Sequence, residues 1–201
     1  MSFTENYFGK KTKQVLMQIY PELSISNKGI QFLYLFFSEI RKIMNDSISL
    51  LKKYDKHSIE DLIKCILTGT NELAIHAIKN MEIYETVFTG QIWDTHHSLV
   101  DKYFSTTLEY ILAEVLELSG NVTKDNQKKR ITPYYIWYSI SLDEELLVLF
   151  KKIGFDQYKF EKEELIKNRP QLNNFLYYHT KNGQIYKMKK EELFDIYKDY
   201  L

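Results

Sequence analysis

Leu108-Glu109-Tyr110-Ile111-Leu112-Ala113-Glu114-Val115-Leu116-Glu117-Leu118-Ser119-Gly120-Asn121, followed three residues later by Asp125-Asn126-Gln127-Lys128-Lys129-Arg130-Ile131-Thr132-Pro133, is the stretch that decides the fold. Tyr103, Leu108, Leu112, Val115, Leu118 and Val122 mark one apolar side of a long helix predicted from Leu99 to Asn126. A basic loop closes it. Thr132 then stands as N-cap, and Pro133 takes the first helical position, where a missing N–H costs no hydrogen bond. Tyr134 to Ser141 reads as a short helix, and Asp143-Glu144-Glu145-Leu146 opens another that ends at Gly154.

Working outward toward the N-terminus, the same order occurs in fuller form. Ile30, Leu33, Phe37, Ile40, Met44, Ile48 and Leu51 recur at three- and four-residue steps. They predict a second long helix, started by Ser26 or Asn27 and spanning roughly 40 Å at 1.5 Å per residue. A shorter helix precedes it, from Lys10 to Tyr20, and stops at Pro21. Another follows, opened by Ser58-Ile59-Glu60-Asp61 in a capping-box spacing and punctuated by Gly69. A fourth helix is predicted from Asn71 to about Phe88, with Leu73, Ala77, Ile78 and Met81 on one side. Toward the C-terminus, Phe175 to Tyr178 and Ile185 to Met188 flank Asn182-Gly183, a hairpin turn signal, and an amphipathic helix is expected over Lys190 to Leu201.

Composition narrows the class. With 44% hydrophobic and 27% charged residues the chain is expected to fold, and with only 7 glycines and 3 prolines in 201 residues it is expected to be helical. No apolar run approaches the roughly 18 residues of a membrane span. Met1-Ser2-Phe3-Thr4-Glu5-Asn6 lacks a basic start and an apolar stretch, so a secretory signal is not expected. The single cysteine, Cys65, lies in the apolar run Leu62 to Leu67 and reads as a small core residue. Net charge is zero, which by itself counts against nucleic-acid binding.

Enzymatic readings find little support. Gly9-Lys10-Lys11-Thr12 lacks the first glycine and the ending of a phosphate loop. His96-His97 has no cysteine or acid spacing to complete a metal site, and His76 reads as a packed or capping residue. No enzyme activity and no cofactor are expected.

Short–long–short helices occurring twice resemble a pair of histone folds. Residues 108–121, the loop 125–133 and the Asp143-Glu144-Glu145-Leu146 start are similar to the long helix, second loop and next helix of histone 2A. Val15-Leu16-Met17-Gln18-Ile19-Tyr20-Pro21 with Ile25-Ser26-Asn27-Lys28 resembles the end of the first helix and first loop of histone 2B. Asn71-Glu72-Leu73-Ala74-Ile75-His76-Ala77 resembles the start of its C-terminal helix. The resemblance covers roughly residues 7–154 and looks like the fused 2B–2A histone doublets of large DNA viruses. It implies an all-α fold: two tandem histone folds paired as an intramolecular handshake, with a C-terminal extension bearing a small hairpin and helix. The expected division is 1–88, 2B-like; 89–154, 2A-like with a reduced first helix; and 155–201, a possible docking segment.

The implied function is DNA packaging with a histone 3–4 type doublet or tetramer as partner, in a virion, viral factory or host nucleus, with no membrane and no small-molecule substrate. The alternative is a histone-fold module that scaffolds a transcription or regulatory complex. DNA contacts are implied for Lys10, Lys11 and Lys13, for Ser26, Asn27 and Lys28, for Lys56, His57 and Ser58, and for Lys128, Lys129, Arg130 and Thr132. The duplex would be held by its backbone and minor groove, without sequence specificity. An acidic patch for basic partner segments is implied at Glu72, Glu109, Glu114, Glu117, Asp143, Glu144 and Glu145. Three departures stand out, the first that the tail beyond Gly154 resembles the histone 2A docking segment only faintly. Only fourteen residues separate Phe88 from Tyr103, too few for a full first helix and loop, and Asp55-Lys56-His57-Ser58 lacks the arginine the family carries there.

Overall fold

A computed structural model describes residues 4–67, 72–80 and 98–155, together with the backbone of 175–179 and 185–189. The chain divides into two compact units, residues 1–158 and 159–201. The first is built of seven described helices and one short pair of strands: α1 (Glu5–Ile19), β1 (Ser24–Ile25), α2 (Asn27–Ile48), α3 (Lys56–Ile66), α4 (Glu72–Asn80), α5 (Ser98–Asp125), β2 (Arg130–Ile131), α6 (Pro133–Leu142) and α7 (Glu144–Lys152). In the second unit β3 (Phe175–His179) pairs antiparallel with β4 (Ile185–Lys189), Tyr178 facing Tyr186 in the register. The expected last helix and residues 81–97 lie outside the described residues. The architecture is all-α and of histone-fold type, with the short–long–short order in α1–α2–α3 and a long–short–short continuation in α5–α6–α7.

Helix α5 is the axis of the core. Val100, Phe104, Leu108, Ile111, Leu112, Val115 and Leu116 are all fully buried, more than one apolar stripe could supply, as expected of a helix covered on most sides. Its buried hydroxyls find partners along their own helix. Thr107 donates to the Tyr103 carbonyl at 2.9 Å, Ser119 to Val115 at 2.6 Å and Thr123 to Ser119 at 2.7 Å. Ser119 also meets Ser139 of α6 at 2.9 Å. Burying such groups unbonded would cost roughly 1–3 kcal/mol each.

Helix α2 contributes the predicted Ile30, Leu33, Phe37, Ile40 and Met44, and adds Phe32 and Phe36. Phe36 lies 5.6 Å from both Phe150 and Phe155, and those two rings meet edge to face at 4.8 Å. Each fully buried ring stabilises the fold by roughly 1.5–3 kcal/mol. The aromatic cluster thus ties the end of α7 and the residues just after it to the long helix α2. Helix α1 lies close on α2: a Cβ on Gly9 would stand 3.0 Å from Ile30 Cγ2.

Three sequence expectations change. Helix α1 starts at Glu5 rather than Lys10, because Thr4 caps it by accepting the Tyr7 N–H at 3.3 Å. Helix α3 starts at Lys56, and its cap is Asp55, which accepts the Ser58 N–H at 2.9 Å; Ser58 is inside the helix. Cys65 is exposed, because Ile59, Ile63 and Ile66 define the buried side of α3 and Cys65 falls off it. No helix among the described residues is long and apolar enough to cross a membrane.

Candidate nucleic-acid interface

Strands β1 and β2 are parallel, with Ser24 opposite Arg130 and Ile25 opposite Ile131. The Ser24 N–H donates to the Lys129 carbonyl and the Ser26 N–H to the Ile131 carbonyl, both at 2.9 Å. The two-residue period turns Ile25 and Ile131 into the core and leaves Ser24 and Arg130 exposed. Each strand runs straight into a helix, α2 or α6. Parallel strands put both helix starts at the same edge, so two positive dipole ends and a basic loop share one surface.

Local sequence explains why the pieces meet there. Gln127 adopts a left-handed φ of 55° just past α5. Its N–H donates to the Lys124 carbonyl at 2.7 Å, and the Lys128 N–H donates to Thr123 at 2.9 Å, the double bond of a Schellman stop. That turn delivers Lys128, Lys129 and Arg130 into solvent as a run. Opposite, Ser26 caps α2 by accepting the Gly29 N–H at 3.0 Å. Gly29 is required by close approach: a Cβ there would lie 3.0 Å from Ile25 Cγ1 and 3.4 Å from Ile136 Cδ1 of α6.

The edge therefore gathers Ser26, Asn27, Lys28, Lys128, Lys129, Arg130 and Thr132, separated in sequence by about a hundred residues. Asn27, Lys28 and the basic triplet are exposed. Among the described residues no carboxylate pairs with Lys128, Lys129 or Arg130. Thr132 occupies the N-cap of α6 but makes no capping hydrogen bond, and its Oγ1 is buried without a partner. The remaining basic candidates sit elsewhere. Lys10 and Lys13 are exposed on α1, while Lys11 Nζ rests 5.7 Å over the Tyr7 ring. Lys56 lies 3.8 Å from Glu60 and His57 3.4 Å from Asp61, both carboxylates of the same helix.

The acidic residues divide by role. Glu109, Glu114 and Glu117 line a cavity of about 320 Å³ between α1 and α5, with Val15 and Ile19 on the α1 side. Glu109 is 9% exposed, Glu114 half-buried and Glu117 exposed. Burial raises the Glu114 carboxyl above the ordinary glutamate range, and Glu117 and Asp143 add to it against a hydrogen bond from Tyr110. Burial also pushes up the Tyr110 phenol, reinforced by Glu114. Asp143 caps α7, accepting the Glu145 and Leu146 N–H groups at 3.0 and 2.8 Å. Glu145 reaches α4 instead, accepting the Glu72 and Leu73 N–H groups at 3.1 and 2.7 Å. Glu72 and Glu144 are exposed. His76 is also exposed, its ring edge-on to Tyr110 at 6.5 Å, and it does not cap the helix.

One contact was not foreseen. Tyr20 donates to Asn121 Oδ1 at 2.6 Å, lies under Lys124 Nζ at 4.7 Å, and Lys124 in turn reaches Glu22 at 3.3 Å. Gly120 makes room for it, since a Cβ there would overlap the Tyr20 ring. A lone glycine inside the long helix was the available signal.

No family model matches the chain. Over 44 residues, 22% of this chain, it is 52% identical to a histone 2A of Plasmodium falciparum. It is 47% identical over 51 residues, 25% of this chain, to a probable histone 2A of Arabidopsis thaliana. A macro-type histone 2A of Capsaspora owczarzaki is 50% identical over 48 residues, 24% of this chain. The matches span 33%, 33% and 13% of those relatives, a third of their length or less. The chain carries a histone-fold region similar to histone 2A.

Proposed function

We propose that this chain is a core-histone doublet, a 2B-like fold (1–88) and a 2A-like fold (89–154) in one polypeptide, that takes the place of a histone 2A–2B dimer and compacts DNA in nucleosome-like particles. The observation that carries the reading is the parallel β1–β2 pair. It sets Lys128, Lys129, Arg130 and the starts of α2 and α6 on one exposed edge. Backbone N–H groups and dipole ends there receive phosphates, and Arg130 enters the minor groove. The partner is a 3–4 type doublet or tetramer, with 155–201 as the docking segment, and the packaged DNA is viral. Glu114, Glu117 and Glu72 give the particle an acidic face for basic protein segments.

The test combines the purified chain with a 3–4 type doublet and DNA, followed by nuclease digestion. Protected fragments of defined length are expected, with cleavage near one minor-groove contact increased by Arg130→Ala. Zero net charge favours the second reading, a scaffold for a regulatory complex. Partner binding without any DNA protection would select it.

A further inference from the structure

We infer that the edge formed by residues 24–28 and 128–132 takes phosphate from duplex DNA, and that the first turn of α3 does not. This rests on the DNA-packaging reading and narrows it to one surface. A phosphate at a helix start needs cations that are not already neutralised and a first turn not already occupied by an anion.

The β1–β2 edge meets both needs, the first through Lys128, Lys129 and Arg130, which have no acid partner among the described residues. No acidic residue occurs from Leu23 to Ser38 or from Asn126 to Leu142. Helix α2 is capped by a neutral hydroxyl, that of Ser26, and α6 carries no side-chain cap bond at all. With Lys28, four exposed cations stand along this edge.

The start of α3 is built the other way. Its N-cap is a carboxylate, and Asp55 holds the Ser58 N–H at 2.9 Å, a donor that a phosphate would otherwise claim. Hydrogen bonds from Ser58 keep that carboxyl below the ordinary aspartate range, with Lys53 and His57 adding to the effect, so it is ionised at neutral pH. Lys56 faces Glu60 at 3.8 Å and His57 faces Asp61 at 3.4 Å. Lys56 and His57 of the α3 first turn thus each have an acid beside them, and the turn itself presents an anion toward an approaching phosphate. A fixed like charge at a helix start is unfavourable for a second anion.

The experiment is a salt titration of the full chain binding a short DNA duplex, read by fluorescence anisotropy, with Lys128→Ala, Arg130→Ala, Lys56→Ala and Asp55→Asn. Each phosphate neutralised contributes about 0.9 to the slope of log affinity against log salt. Lys128→Ala and Arg130→Ala are each expected to lower the slope by about 1, and Lys56→Ala to leave slope and affinity unchanged. Asp55→Asn preserves the cap, since asparagine serves as well there, and removes the anion. It is expected to tighten low-salt binding about two- to five-fold. If Lys56→Ala lowers the slope as much as Lys128→Ala does, the exclusion of phosphate from the α3 start is wrong while DNA binding stands. Unchanged affinity in Asp55→Asn removes the blocking role of Asp55 and overturns the argument built on it. A wild-type chain with no salt-sensitive binding overturns both this inference and the packaging reading.

Discussion

Replacing Glu145 should loosen α4 from the helices around it. Helix α4 has nine residues, shorter than the roughly 12–15 at which an isolated helix becomes even marginal, so it depends on what holds its ends and its buried side. Leu73, Ala74 and Ala77 supply the buried side. The start is held by Glu145, more than seventy residues away in sequence, with its two carboxylate oxygens 3.1 and 2.7 Å from successive backbone nitrogens. A hydrogen bond to a charged group contributes about 1.5–3 kcal/mol when well protected, and an N-cap about 0.5–2 kcal/mol. Glu145 is half-buried, so Glu145→Ala is expected to cost about 2 kcal/mol. For a unit of this size that lowers Tm by about 4–8 °C. Glu145→Gln keeps one acceptor and should lose roughly half as much. Glu144→Ala, on the exposed neighbouring position, is the control and should stay within about 0.5 kcal/mol. Thermal melts give the magnitude, and hydrogen exchange gives the place: the Glu72 and Leu73 amides should lose protection before those of α5. If Glu145→Ala melts with wild type and α4 exchange is unchanged, the long-range cap contributes nothing and the reasoning fails.

Glu114→Gln should stabilise the fold at pH 7 and not at pH 4. The folded state raises this pKa above 4.5, so the group's contribution is full below that value and lost as pH rises through the raised one. Solvent screening at a half-buried site keeps the gain under about 1 kcal/mol, and an equal shift at both pH values in chemical denaturation would refute it. Gln127→Gly should add about 1 kcal/mol by relieving the left-handed φ of 55°, seen as a higher urea midpoint at unchanged m-value. Thr12 is fully buried with Oγ1 unpartnered, so Thr12→Val should also raise the urea midpoint, by about 1 kcal/mol; a loss would mean the hydroxyl has a partner in solution.

The sequence was most readable where one physical signal acted alone. Helix α5 was bounded within a residue at each end because its apolar spacing is long and its stop is a basic loop ending in Thr132-Pro133. The residues gathered at the β1–β2 edge could be named beforehand only through resemblance. Two-residue strands are too short for any periodicity to show, and their pairing joins positions about a hundred residues apart. Where two local signals competed, the reading failed. Asp55 and Ser58 both offer caps for α3, and the cap is Asp55, whose carboxylate accepts the Ser58 N–H and leaves Ser58 inside the helix. Cys65 lies in an apolar run yet is exposed, because the helical period turns Ile59, Ile63 and Ile66 inward and leaves Cys65 off that side. Glu109 shows the opposite error: a helix surrounded on most sides buries even a glutamate that the sequence places among surface acids.

Zero net charge weighs against phosphate binding only if the two signs are mixed evenly, and here they are not. The basic edge carries four exposed cations with no acid from Leu23 to Ser38 or from Asn126 to Leu142, while the 27 acids of the chain lie elsewhere in its sequence. Several of those acids are already engaged in the fold. Asp55, Asp143 and Glu145 accept backbone N–H groups at three different helix starts, and Glu109 is buried. They offset positive dipole ends within this chain and still enter the formal sum as full negative charges. At physiological salt, exposed charges separated by more than about 8 Å are largely screened from one another. A phosphate arriving at Arg130 therefore responds to the cations beside it and to the starts of α2 and α6, much more than to carboxylates elsewhere on the molecule. The quantity that bears on DNA binding is the charge of a surface within a Debye length. For this chain that local sum is positive at one edge, and near balance at the start of α3.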